Sequence, residues 1–431
     1  MPSVLPAQAE QLTPRLKALQ RLGLLCGFTA GAWLGAAEAP TKLVSVGVSP
    51  MVVSLIMVVG VFLARWSLPA LILGTSSIRA DVRRAPHLII WAVLAGCIWA
   101  VANTLTIFAV RDIGLSIAFP LWNSNSLLGI FWGFIFFNEL RRAGWRRWTG
   151  VLGGALVMCV GAALLAIVSS TQAPAGHSMR GVWAALGAGI LWGTMYVPYR
   201  KAYLSGMNPL SFVTFFTFGE LGMMSALAIG YLGLARLWHE LTSARDVLFW
   251  LMLGGFIWVI GDVFQQYAAK YVGISRGIPL SNTNQLWGLL WGIFVFGELH
   301  SSGTSTYMQV IGGSLLMMLG VAAIAFSAAT GEEQMQWKAA SRRECDRYNL
   351  PIDHVEARMQ GSQLEGEIKP SRSAFDWLLV AGATGIFVVL ATIARVPHMS
   401  LNGIAIGALS VAMLLLLVFS GLRLWRTTRF Y

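Results

Sequence analysis

In a chain of 431 residues that is 56% hydrophobic and 12% charged, the charged share is about half that of a soluble domain, which excludes an ordinary water-soluble enzyme or binding module. The net charge of +12 does not mark a nucleic-acid partner, because the basic residues fall between apolar runs instead of along one face. Four cysteines, Cys26, Cys97, Cys159 and Cys345, have no paired spacing and exclude a disulfide framework or a thiolate metal site.

Residues 1–19 are polar, contain prolines and lack a signal-peptide cleavage pattern, so they read as a cytoplasmic segment before a helix that acts as its own insertion signal. Apolar runs long enough to cross a bilayer predict helices near 20–38, 50–73, 87–109, 113–138 and 149–169. A second set follows near 181–198, 209–234, 247–268, 272–297 and 307–328. Residues 331–373 are polar and mixed in charge and read as a cytoplasmic linker. Two more apolar segments, near 375–394 and 401–421, form an accessory hairpin (375–421) with a basic cytoplasmic tail at 422–431.

The two sets are copies. The 45 residues from Gly96 to Leu140 align without a gap with those from Gly255 to Leu299, 159 positions later, and 17 of the 45 are identical. The identities include Trp99/Trp258, Gly114/Gly273, Pro120/Pro279, Asn123/Asn282, Asn125/Asn284, Trp132/Trp291 and Glu139/Glu298. The repeat units are therefore 20–169 and 181–328, five helices each. An odd number of crossings makes the second copy enter from the other side, the mark of inverted transporter repeats.

Loop charge tests that inversion. With the N-terminus placed in the cytoplasm, the inner side receives Arg15, Lys17, Arg21, Arg79, Arg83, Arg84, Arg141, Arg142, Arg146, Arg147, Arg200, Lys201, Lys270 and Arg276. The outer side receives Lys42, Arg111, Arg180, Arg236 and Arg245. This bias obeys the positive-inside rule. One loop appears in both versions: RRAGWRRW after the fourth helix holds four arginines, and its copy HSSGTSTY holds none. The expected fold is an all-α polytopic membrane protein of two inverted five-helix repeats (ten spans) plus a two-helix hairpin, twelve spans in total.

Catalysis is disfavoured. All six histidines fall in predicted loops or tail, and HExxH does not occur, so no catalytic residue, metal site or cofactor is expected. Ionisable residues at membrane depth are costly and so informative. Asp262 in the eighth helix aligns with Asn103 in the third, and Glu220 lies in the seventh. Facing a cavity, each acid could hold and release a proton; alternatively each is a structural acid paired to a neighbouring helix. Arg65 is either the partner of Glu220 or a snorkelling side chain, and the second reading is favoured because its long stem reaches the interface.

Asn123, Asn125, Asn282 and Asn284 follow Pro120 and Pro279, which disturb their helices and free backbone carbonyls. Amides both donate and accept, which suits sugar hydroxyls. Gln266 shares a helix face with Asp262 at i+4. Trp33, Trp192, Trp122 and Trp287 could offer flat apolar faces to a pyranose ring, or could simply hold helices together. The substrate-binding set is thus Asn103, Asn123, Asn125, Asn282, Asn284, Gln266, Trp33 and Trp192, with Pro120 and Pro279 as helix breaks and Asp262 and Glu220 as proton carriers.

The motifs GCIWAVAN, IGLSIAFP and the glycine-rich helix ending FFNEL, with its counterpart ending VFGEL, resemble the ten-helix sugar-porter branch of the drug/metabolite transporter superfamily, the glucose/ribose uptake and rhamnose-symporter group. The resemblance covers about residues 20–328. It implies a secondary carrier of sugars or similar polar metabolites, coupled to protons and working by alternating access in the bacterial inner (plasma) membrane, with both termini cytoplasmic. Expected partners are the substrate, protons and the bilayer, with a homodimer possible and no nucleic acid. An exporter of drugs or amino acids from the same superfamily and a non-transporting receptor or scaffold are the alternatives.

Overall fold

A computed structural model describes residues 14–44, 48–113, 121–122, 125–141, 143–169, 179–297, 303–327, 331–362, 371–395 and 401–431. Pro120 and Asn123 lie outside the described residues. The regular elements among the described residues are all helices. The first repeat supplies α1 (Pro14–Ala36), α2 (Pro50–Ile72), the short α3 (Thr75–Arg84), α4 (His87–Ile113), α5 (Asn125–Phe137) and α6 (Trp145–Ser169). The second supplies α7 (Met179–Leu204), α8 (Pro209–Leu232), the short α9 (Leu234–Ser243), α10 (Leu248–Val272), α11 (Ile274–Ser281), α12 (Asn284–Leu290) and α13 (Thr304–Phe326). Then come α14 (Gly331–Tyr348), α15 (Ile352–Met359), α16 (Ala374–Ile393) and α17 (Gly403–Thr428). Eight of these helices are long and apolar enough to cross a membrane, as expected of a multi-pass membrane protein.

The repeats pack reciprocally. α1 lies on α10 and α12, while α7, its copy, lies on α4 and α5. α2 packs on α10 and α8 on α4; α2 meets α8, and α6 meets α13, each helix facing its own copy. Glycines make these contacts close. A Cβ at Gly60 would strike the Met252 carbonyl, and one at Gly219 the Val93 carbonyl. Gly255 would strike the Met57 carbonyl, and Gly96 that of Phe216. Each pair is the other moved on by 159 positions. Small residues at such crossings let backbones approach where lipid gives no hydrophobic drive.

Local signals repeat as well. Ser49 caps α2 by accepting from Val52 N, Asn208 caps α8 by accepting from Leu210 N, and a proline follows each as the first helical residue. Gly74 and Gly233, with φ of 79° and 75°, turn the chain into α3 and α9. These two short helices were expected to be loops. Their polar composition hid them from a reading based on apolar runs.

Three other expectations are corrected. The polar stretch from 331 is not simply a linker, because α14 and α15 fold against one end of the bundle and contribute Trp337, Ala340, Cys345 and Val355 to its main core. Ser341 donates to the Leu204 carbonyl at 2.6 Å, and Arg15 donates to the Gln360 carbonyl at 3.0 Å, tying this cap to α7 and α1. Arg200, Lys270 and Arg276, read as loop charges, are buried within helices at that same basic end. His354, read as a loop histidine, is buried in α15 with Nε2 2.6 Å from Arg84. Burial and then the positive charges of Arg84 and Arg358 push its imidazole down to about 3, so it stays neutral in the docked cap. The accessory helices lie on the outside, α16 on α2 and α17 on α1.

The glycine contacts generate a prediction. Gly255→Val should lower stability by about 1–3 kcal/mol through overpacking, seen as a lower thermal midpoint in detergent. Gly222→Ala, where an added Cβ meets nothing within 4 Å, should stay within about 0.5 kcal/mol of the parent.

Candidate functional site

The close α2–α10 and α4–α8 crossings bring three ionisable side chains together inside the bundle. Arg65 of α2 donates through Nη1 to Glu220 Oε2 of α8 at 3.0 Å and through Nη2 to Asp262 Oδ2 of α10 at 2.7 Å. All three side chains are 0% exposed. The guanidinium lies 4.3 Å from the Phe216 ring centroid and 5.2 Å from that of Trp258. Arg65 does not snorkel. Two carboxylates and two ring faces inside the bundle offer its planar fork more than the interface does.

The triad extends into a polar chain. Gln266 Nε2 donates to Asp262 Oδ1 at 2.6 Å, and the Tyr203 hydroxyl donates to Gln266 Oε1. Next along α10, Gln265 donates to Ser281 Oγ at 2.6 Å, beside the break between α11 and α12. That break falls at Asn282–Thr283, three residues after Pro279, which cannot donate a backbone hydrogen bond. Asn282 Nδ2 crosses between repeats to Asn125 Oδ1 at 3.0 Å and Ser126 Oγ at 2.7 Å. Beside it a cavity of about 10 Å³, lined by Ser126, Asn282 and Gln285 among others, has room for about one water.

The symmetry fails where the charges are. At 159 positions' remove, Arg65 faces Met224, Glu220 faces Val61 and Asp262 faces Asn103. Asn103 donates to Ser54 Oγ at 3.3 Å, and the mirror position carries an amide and no charge.

The remaining expected residues scatter. Asn284 packs against Gly31 and Gly35 of α1, and its Oδ1 has no partner among the described residues. Trp192 meets Trp122 edge to face at 6.1 Å, and its Nε1 also lacks a partner among the described residues. Trp33 sits apart, among Met413, Leu416 and Leu417 of α17 with Trp287 and Trp291. No group of three or more His, Cys, Asp or Glu that could hold a metal occurs among the described residues.

One contact between the repeats escaped the sequence reading. Glu139, at the end of the fourth predicted helix, pairs with Arg200 of α7 at 2.9 Å. It also accepts from Ile274 N at 3.2 Å and Ser275 N at 2.9 Å, capping α11 of the other repeat. Arg200 in turn donates to the carbonyls of Ala269 and Lys270 at 3.1 and 2.8 Å. These bonds close the basic end of the bundle across the repeat boundary. The recurrence of Glu139 as Glu298 was the available signal.

Residues 184–346 match the family model described as Sugar transport protein. Among curated relatives, a Streptococcus pyogenes serotype M1 protein named "Putative sugar uptake protein" is 32% identical over 161 residues, 37% of this chain and 50% of its own. The glucose uptake protein GlcU of Staphylococcus xylosus is 27% identical over 215 residues, 49% of this chain and 69% of its own. The chain spans about half the length of the first of these relatives. The matches support a family of sugar transport proteins. They do not carry the finer assignment to a ten-helix superfamily branch.

The triad makes its own prediction. Arg65→Met leaves two buried carboxylates facing each other and should cost about 3–5 kcal/mol, read as a large fall in thermal midpoint. Adding Glu220→Gln and Asp262→Asn to it should restore most of the loss.

Proposed function

We propose that this protein is a secondary active transporter that carries sugars or similar small polar metabolites across the plasma membrane, coupled to protons, by alternating access. The observation that carries the reading is the Arg65–Glu220–Asp262 triad at the seam between the repeats. One guanidinium balances one carboxylate. The second negative charge is buried and needs a proton or a cation to become neutral. Glu220 Oε1 has no partner among the described residues and offers a place for that proton.

The triad joins α2 of one repeat to α8 and α10 of the other, so its protonation bears on how the repeats are held together. Loading the second carboxylate weakens the pull on Arg65 and loosens the seam. Substrate hydroxyls would take the amides near it: Asn125, Asn282 and Gln266 on the polar chain, Asn284 with its unpartnered Oδ1 on α12, Asn103 on the neutral side, and the Trp192 indole as donor and apolar face. Asn282 bridges the repeats to Asn125 and Ser126, and a sugar that replaced these bonds would sense both halves at once. The Glu139–Arg200 closure is then one gate of the cycle, at the end we assign to the cytoplasm from its basic charge. The family match over residues 184–346 and the names of the relatives support a sugar-like cargo.

The test is transport in proteoliposomes under an imposed pH gradient with labelled sugars. The parent should accumulate a sugar against its gradient. Asp262→Asn should abolish accumulation, by about tenfold or more, while leaving sugar exchange without a gradient. Undiminished accumulation in that variant would refute the coupling role.

A further inference from the structure

Between the bundle and its cap lies a cavity of about 30 Å³. Tyr203, Lys270 and Tyr271 line it from the bundle, and Trp337, Lys338 and Glu356 line it from the cap. Lys270 is 6% exposed, and its Nζ has no hydrogen-bond partner among the described residues. Trp337 is 2% exposed, and its Nε1 likewise has none. Two buried donors thus border one cavity, each without a hydrogen-bond partner among the described residues.

The nearby carboxylates are engaged elsewhere. Glu139 holds Arg200 at 2.9 Å, Glu344 holds Lys201 at 3.4 Å and Glu356 holds Arg342 at 3.3 Å. Asp81 accepts from Ser211 Oγ at 2.6 Å and from Asn208 N at 3.2 Å. Arg358 adds a repelling positive charge to Lys270. A buried ammonium without an acceptor is expensive, and so is a buried indole N–H. What would satisfy both is a small group rich in acceptors and negative in charge. The volume equals about two waters, which suits one tetrahedral oxyanion and not a whole sugar.

We propose that this cavity binds a phosphate group, with Lys270 and Lys338 as its charged walls and the Trp337 N–H as a neutral donor. The phosphate can come from solution, as inorganic phosphate or a phosphomonoester, or from a lipid headgroup at the membrane boundary. Bound there, it ties the cap to α10. This site does not rest on the transport reading, and it is tested by binding alone.

The experiment uses the full chain in an uncharged detergent, stripped of lipid. Its thermal midpoint is followed as inorganic phosphate replaces chloride at constant ionic strength. A second arm compares nanodiscs of phosphatidylcholine with and without phosphatidylglycerol. A saturable rise in the first arm assigns the site to soluble phosphate; a rise only in the second assigns it to lipid. In either case Lys338→Gln, a half-buried cap residue whose loss should spare folding, should weaken the apparent affinity about tenfold, and Lys270→Met should do so at least as strongly. No saturable rise in either arm, or a rise unchanged in Lys338→Gln, overturns the proposal.

Discussion

A guanidinium held between two carboxylates in a fully buried seam sets the terms for the rest of the bundle. Removing three charges from water costs several kcal/mol each, recovered only if the partners stand at hydrogen-bond distance and their spare lone pairs are met. Arg65 meets Glu220 at 3.0 Å and Asp262 at 2.7 Å, and Gln266 takes the free oxygen of Asp262. Such geometry requires α2, α8 and α10 to approach closely. The glycines at 60, 219, 96 and 255 permit that approach, each resting on a carbonyl of the facing helix.

The frame is symmetric and its contents are not. Packing contacts recur at 159 positions' distance in both repeats, yet Arg65, Glu220 and Asp262 have Met224, Val61 and Asn103 in the mirror positions. A charge cluster needed only for packing would have no reason to occupy one copy alone. In the proposed transport cycle the two near-equal halves supply two related arrangements of the bundle, and the charged seam supplies the switch that responds to protons. The Glu139 carboxylate pairs with Arg200 and caps α11 of the opposite repeat, tying the two halves together at one end of the bundle.

Much of the architecture was legible because the repeat preserves residues where helices touch. Gly96/Gly255 and Trp99/Trp258 survive duplication, and the two tryptophans meet edge to face at 5.4 Å. Asp262 and Glu220 stood out because acids are rare at membrane depth. Arg65 was misread because a long side chain can reach an interface or a buried partner, and only the fold decides which. Lys270 and Arg200 were misread for a related reason, since a basic residue near a helix end looks like a loop charge until something covers it. The cover itself, α14 and α15, is too polar to show as structure along the chain. It is fixed by a few anchors, such as Trp337 beneath Arg200 and Tyr348 stacked on His87 at 3.8 Å.

The proposed transport cycle requires the two repeats to be inverted in the membrane, and that can be measured directly. Trp145 and Thr304 open α6 and α13, are both exposed and lie 159 positions apart. With Cys26, Cys97, Cys159 and Cys345 replaced, a cysteine at either position can be labelled with an impermeant maleimide in vesicles of known orientation. The account predicts that Trp145→Cys reacts from one side of the membrane and Thr304→Cys from the other. Labelling of both from the same side would contradict it.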